Sequence, residues 1–389
     1  MFIVRWLISR TFRQAVDFRR QVRRYAKAQE DLLEDKNLTA LHEACDSMDK
    51  VLDSGADRKA INEELSRLEK VANENIRPYP NSGTRENIDV ILVAVAVAFG
   101  VRTFFLQPFK IPTGSMQPTL YGITHEDLKE SGEEIPGGVG RFVDRCFRGI
   151  KYVHLKAEES GTIEGATEPK TVFPLVKKQT LTVGSKTYTF WNPPENLLSR
   201  AGLYPGQHFK AGDDIIKLKV VSGDHLFVNR FTYNWRPPRR GEIIVFKTEG
   251  IEGLQQDQFY IKRLVGMPDE QISIGNDQHV RINGDRLTAA TGRFENVYTF
   301  DPDTYELNTY YGHVNGVIGS QFQRGNLSPL LYNEADTFHI KKDHYFVLGD
   351  NTLNSKDSRD WGDFPKKNVI GQSAFVYWPI SERFGWSHR

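Results

Sequence analysis

Phe259-Tyr-Ile-Lys-Arg-Leu-Val265, Glu270-Gln-Ile-Ser-Ile274 and His279-Val-Arg-Ile-Asn-Gly-Asp-Arg-Leu287 follow one another with only turn residues between them. Each run is short and rich in β-branched and aromatic residues, which is the pattern of strands. Asn283-Gly284 suits a type I′ hairpin turn, because both central positions of that turn need positive φ. Outward from this stretch, Asp224-His-Leu-Phe-Val-Asn-Arg-Phe231, Glu242-Ile-Ile-Val-Phe246 and His344-Tyr-Phe-Val-Leu348 read the same way. No strand–helix alternation appears, which argues against a parallel α/β sheet. The body is expected to be mainly β, antiparallel, and barrel- or sandwich-like, without internal repeats.

At 389 residues the chain is long enough for two or three domains. Its net charge of +1, from 51 Lys and Arg against 50 Asp and Glu, argues against a surface built to grip nucleic-acid phosphates. Two cysteines exclude a disulfide scaffold and a four-thiolate zinc site. A mean hydropathy of −0.50 excludes a polytopic membrane protein and leaves room for a single span.

The first 27 residues carry a net charge of +7, with Phe2, Ile3, Trp6 and Leu7 at helical spacing among the arginines. Two readings stand side by side: a helix lying on an anionic membrane surface, or an ordinary helix with a solvated basic face. Leu38, Leu41, Cys45, Met48 and Leu52 mark one helical stripe, and Ile61, Leu65, Leu68 and Ala72 mark another. Ser54-Gly55 breaks between them, and Pro78 to Gly83 reads as a linker. From Ile88 to Leu106 the chain is at its most apolar. As a helix this segment rises about 28 Å, close to one hydrocarbon core. The uninterrupted run, Val90 to Val101, also has the length of a buried helix or strand. A span here predicts a cytoplasmic N-terminus, from the upstream positive charge.

Three further segments carry candidate chemistry. In Ile111-Pro-Thr-Gly-Ser-Met-Gln-Pro-Thr-Leu120, Gly and Pro impose an irregular turn that exposes the Ser115 hydroxyl and free N–H groups. These are the requirements for a serine nucleophile with an oxyanion site, although the same dipeptides also read as loop punctuation. Lys262 shares a strand face with Tyr260 and Leu264, while Arg263 points the other way. A covered lysine loses solvation and its pKa falls. A free lysine is only about 0.1% neutral at pH 7.5, and a drop of roughly three units makes about half of it a usable base. A lysine whose stem packs and whose amine reaches water is the alternative. Gly349-Asp-Asn-Thr-Leu-Asn-Ser-Lys-Asp-Ser-Arg-Asp-Trp-Gly362 is a polar loop holding Ser355, Ser358 and an Asp357/Arg359 pair. It lacks the Gly and Glu positions of a calcium loop, so no metal is expected.

In this order the segments resemble bacterial type I signal peptidase, a Ser-Lys dyad serine protease. The matching residues are Thr-Gly-Ser-Met-x-Pro-Thr-Leu at 113–120, Gly-Asp-x-Leu-Phe-Val-Asn-Arg-Phe at 223–231, Arg-Gly-Glu-Ile-Ile-Val-Phe at 240–246, Tyr-Ile-Lys-Arg-Leu-Val-Gly at 260–266 and the loop at 349–362. The resemblance covers roughly 88–120 and 222–380. It departs from the family's usual pattern at Thr113 and Glu242, where Ser and Asp are common, and at Met267-Pro-Asp-Glu270.

The resemblance implies Ser115 as nucleophile and Lys262 as general base, with Ser355 orienting the amine. It also implies Thr113 with the Ser115 N–H as oxyanion donors, and Asp350, Asp357, Ser358 and Arg359 as structural support. It leaves the residues before 88 unexplained. Taken with the two helical stripes and the apolar run, the expected organisation is a helical, cytoplasmic region at 1–87, a transmembrane helix at 88–106, and a β catalytic domain at 107–120 and 222–389. An inserted β subdomain of unknown role would occupy 121–221. The implied activity is removal of N-terminal signal peptides with small residues at −1 and −3 from exported preproteins. The enzyme would be single-pass in the inner (plasma) membrane with its catalytic domain periplasmic. Membrane lipid is its other expected partner; no cofactor, nucleic acid or obligate oligomer is expected. Cys45 and Cys146 would then lie on opposite sides of the membrane and form no disulfide. Two rival readings are a membrane-anchored β scaffold with a vestigial dyad and a self-cleaving repressor-type Ser-Lys protease. The second predicts a helix-turn-helix and no span.

Overall fold

A computed structural model describes residues 9–78, 82–299, 311–322 and 328–386. The chain divides into two compact units, Met1–Ala96 and Val97–Arg389.

In the first unit, α1 (Arg10–Ala28), α2 (Asp35–Asp53) and α3 (Arg58–Asn75) share one core. Ser9 Oγ and Asp57 Oδ1 accept from backbone N–H groups of the first turns of α1 and α3, at 3.3 and 2.9 Å, where those donors have no helical partner. Of the two stripes, Leu41, Cys45, Met48, Leu52, Ile61, Leu68 and Ala72 are buried, and Leu38 and Leu65 pack beside them. Full burial of a side chain such as Leu41 or Leu68 is worth about 1.5–3 kcal/mol. The helix α1 adds Phe12, Ala15, Val16, Val22 and Ala26 to that core. Over this length its apolar residues pack inward and most of its arginines face outward. Phe2, Ile3, Trp6 and Leu7 lie outside the described residues, as do Tyr79, Pro80 and Asn81 of the expected linker.

The helix α4 (Ser82–Phe104) runs through the boundary between the units. Its stretch Gly83–Phe104 is, among the described residues, the one helix long and apolar enough to cross a membrane, and none of its most apolar window is buried. It starts earlier than the apolar run alone indicates. Leu106, read from the sequence as the end of that run, instead opens a strand, because its backbone pairs with Asn229.

The second unit is built on an antiparallel sheet: β1 (Leu106–Lys110), β2 (His225–Asn229), β3 (Ile243–Lys247), β4 (Phe259–Gly266), β5 (His344–Leu348), β6 (Phe364–Pro365), β7 (Val369–Trp378) and β8 (Gly385–Trp386). The strand order is β1-β2-β7-β3-β4-β5-β6, with β8 on β7. Register shifts interrupt the β2/β7, β3/β7 and β4/β5 ladders, and such bulges bend and twist a sheet. Ile244, Phe246, Leu264 and Val347 pack on one side and Val228, Ile243, Val245 and Met116 on another. The Asn283-Gly284 turn has φ of 51° and 94°, as a type I′ hairpin requires. Its strands join a separate four-stranded sheet with Gln271–Ile274 and Phe338–His339.

Residues between the serine turn and β2 build their own core from Ile163, Leu181, Val183, Ile216, Leu218 and neighbours. Two antiparallel sheets surround it, one centred on Asp214–Val221 and the other on Val176–Val183.

Candidate active site

The strand β1 delivers the chain into the Thr113–Leu120 turn, where Ser115 and Met116 are buried while Thr113 is exposed. Neighbouring β4 sits between β3 and β5, with Lys262 opposite Ile244 and Arg263 opposite Leu348. Strand alternation sends these two consecutive cations in different directions. Lys262 Nζ reaches Ser115 Oγ at 2.8 Å and the Ile261 carbonyl at 3.0 Å. The same amine lies 5.5 Å from the Tyr260 ring centroid.

Arg263 is also buried, and it closes a bidentate pair with Asp350, its Nε donating at 2.7 Å. Thr119 Oγ1 donates to the same carboxylate and accepts from Arg263 Nη2 at 3.1 Å. The turn that carries Ser115 is thereby tied to β4 and to the loop after β5. Nothing in the local sequence marked Arg263 or Thr119 for this role. The only available signal was a buried-face arginine and a carboxylate 87 residues away, each needing a partner.

The 349–362 loop grips the serine turn from the other side. Asn351 N–H donates to the Ser115 carbonyl at 3.1 Å, and Asn351 Nδ2 donates to the Gly114 carbonyl at 3.0 Å. Asp357 and Arg359 pair at 2.8 and 2.9 Å, and the Gly349 N–H donates to Asp357 Oδ2 at 3.0 Å. Arg359 also donates to Thr352 and to the Val314 carbonyl. Ser358 Oγ accepts from the Val347 N–H at 3.0 Å, which closes the end of β5.

Ser355 Oγ is buried beside the Asp357 carboxylate, which it helps to hold ionised, and the lysine amine does not bond to it here. It approaches closely because Gly349 has no side chain: a Cβ there would collide with Ser355 Oγ and stand 2.5 Å from the Ser115 carbonyl oxygen.

Burial dominates the electrostatics of Lys262 and pushes its pKa down to about 8, against the upward pull of Asp357 and Asp350 and with help from Arg359. At that value an appreciable fraction of the amine is neutral near neutral pH. For Asp357 burial works upward, but the adjoining Arg359 guanidinium and the Gly349 N–H hold its carboxyl below the ordinary range. The Ser115 N–H has no internal acceptor among the described residues. Among the described residues there is also no cluster of three His, Cys, Asp or Glu suited to a metal ion. An activated hydroxyl, a desolvated amine and a free N–H together are the parts of a serine acyl-transfer site.

Residues 84–125 and 216–378 match the family described as signal peptidase, peptidase S26. A signal peptidase I of Leptolyngbya laminosa is 30% identical over 163 residues, covering 41% of this chain and 62% of its own length. Signal peptidase I P of Bacillus subtilis subsp. natto is 30% identical over 166 residues, covering 42% and 73%. A signal peptidase I of Pseudomonas fluorescens is 27% identical, covering 44% and 63%. The chain thus spans about three fifths of the length of the first relatives it matches.

Proposed function

Because the chain belongs to the signal peptidase, peptidase S26 family, we propose that it is a membrane-anchored serine endopeptidase that removes signal peptides from exported preproteins. The observation that carries this reading is the 2.8 Å approach of Lys262 Nζ to Ser115 Oγ in a buried setting.

Neutral Lys262 takes the Ser115 proton as Oγ attacks the scissile carbonyl carbon. The resulting oxyanion is held by the Ser115 N–H and the Thr113 hydroxyl. The lysine ammonium then gives its proton to the leaving amine, the C–N bond breaks, and an ester to Ser115 remains. A water loses its proton to the regenerated lysine base and hydrolyses the ester, restoring the serine hydroxyl. An ammonium has three donors, and Ser115 Oγ and the Ile261 carbonyl supply two acceptors. Ser355 is the third group in reach of this loop and orients the amine once it is charged. Asp350 with Arg263, and Asp357 with Arg359 and Ser358, fix the two loops around the dyad.

The substrate is an extended peptide with small residues at −1 and −3. Among the described residues β1 pairs only with β2, so its outer edge is open to such a segment. Ser115 follows Leu106 by nine residues, within about 30 Å even for an extended chain, which suits cleavage just outside a bilayer. The helix α4 is the single span, with the preceding helical region cytoplasmic and the catalytic region of the second unit, including its insertion, periplasmic.

The test is incubation of the full chain with a model preprotein, with Ser115→Ala and Lys262→Ala alongside. Wild type should release the signal peptide at a single site and both variants should not. Cleavage by either variant at the wild-type rate would remove the dyad from the mechanism.

A further inference from the structure

The insertion contains a hairpin whose strands Lys170–Phe173 and Val176–Val183 pair with Phe173 opposite Val176. Its tip is apolar on every side: Val172, Phe173 and Leu175 are 61, 69 and 96% exposed. A hairpin packed on a protein surface hides one face and shows the other, since successive side chains alternate. Here consecutive apolar residues all meet water, an arrangement matched by a medium that is apolar in all directions rather than by a groove.

Two features argue that the tip is kept for contact rather than for folding. Leu175 stands at φ 71°, in the left-handed region that Gly or Asn fills at lower cost. Lys170 lies directly opposite Lys178, with Lys177 beside them, and like charges across a ladder repel. Between residues 170 and 178 there are three lysines and no acid. The next strand places Trp191, 58% exposed, opposite Lys178, whose amine lies 5.9 Å from its ring. An apolar tip, a collar of lysines and a tryptophan behind them are, in that order, the requirements for crossing from hydrocarbon through anionic headgroups to water.

We infer that this hairpin is a lipid-contacting finger: Val172, Phe173 and Leu175 enter the apolar layer of an anionic bilayer while Lys170, Lys177 and Lys178 meet its phosphates. The inference rests on the membrane-anchored reading and not on the dyad chemistry. It gives the insertion a task, which is to hold the second unit against the bilayer at a point apart from the helix that tethers it.

The experiment uses the full chain in vesicles, with Cys45→Ser and Cys146→Ser and an environment-sensitive fluorophore on Leu175→Cys. The bilayers are phosphatidylcholine alone or a mixture with phosphatidylglycerol, each with and without doxyl-labelled lipid as quencher. The expected result is blue-shifted emission quenched by doxyl lipid in the phosphatidylglycerol bilayer. The effect should be lost when Lys170, Lys177 and Lys178 are replaced by Ser, and absent from a label at Lys210→Cys. Water-like, unquenched emission from a chain that resists alkaline extraction overturns the finger alone. Shifted emission without lipid quenching marks a protein contact and also overturns it. A chain that washes off the vesicles overturns the membrane-anchored reading together with the finger.

Discussion

Lys262 Nζ stands 2.8 Å from Ser115 Oγ although the two residues are 147 positions apart in the chain. Both are buried; Ser115 comes from the turn after β1 and Lys262 from within β4. The amine is thereby held where its charged form is disfavoured, which leaves part of it neutral near neutral pH.

Such a lysine should weaken the fold. Its folded pKa of about 8 lies below the value of 10.5 it has when free, so below pH 8 the folded state carries a desolvated ammonium at full cost. The unfolded chain binds more protons between the two values, so this group's destabilisation fades as pH rises through that window. Lys262→Met should therefore abolish cleavage and raise unfolding stability at pH 7 by about 3 kcal/mol, with the gain shrinking toward pH 10. Denaturant titrations of both proteins at the two pH values measure it.

Thr113 is exposed in the serine turn, two residues before Ser115, and is the proposed side-chain donor to the oxyanion. Thr113→Val keeps the shape and removes the donor. The rate kcat should fall about 10²–10³-fold with KM nearly unchanged, and Thr113→Ser should restore it. Steady-state kinetics on the model preprotein decide the point; an equal rate for the valine variant assigns the oxyanion to the backbone N–H alone.

Ser355 Oγ is buried beside the Asp357 carboxylate and does not bond to Lys262 in this state, so Ser355→Ala should lower stability by only about 1 kcal/mol. A larger cost should appear when the lysine is charged during turnover. A hydrogen bond to a charged group is worth about 1.5–3 kcal/mol, so kcat/KM should drop roughly 10- to 100-fold. Thermal unfolding and kinetics on the same preparation separate the two effects.

Gly349→Ala is a steric test of the same junction. The added methyl meets both Ser355 Oγ and the Ser115 carbonyl oxygen well inside contact distance. Either the loop or the serine turn must move, at a cost of about 1–3 kcal/mol. Activity should fall by more than the stability loss explains, as seen by comparing activity per folded molecule below the unfolding transition.

Much of the β body was legible because its strands carry a period of two and because Asn283-Gly284 admits few conformations. The two helical stripes were legible for the same kind of reason. Lys262 could be read as a covered lysine from its neighbours on β4, and the serine turn from Gly and Pro around Ser115. Arg263 with Asp350, and Thr119 between them, were not legible, because a buried ion pair across 87 residues leaves no local pattern. The residues of α1 that join the helical core were hidden by arginines that dominate its composition. The close approach of Ser355 to the serine turn depends on the bare backbone of Gly349, which only the folded loop reveals.

The most direct test of the dyad is the pH dependence of kcat/KM for preprotein cleavage by the full chain. If neutral Lys262 is the base, log kcat/KM should rise with a slope of about one per pH unit and level off near the pKa of about 8. An activity that is flat from pH 6 to pH 9, in a protein shown to stay folded throughout, would contradict the account.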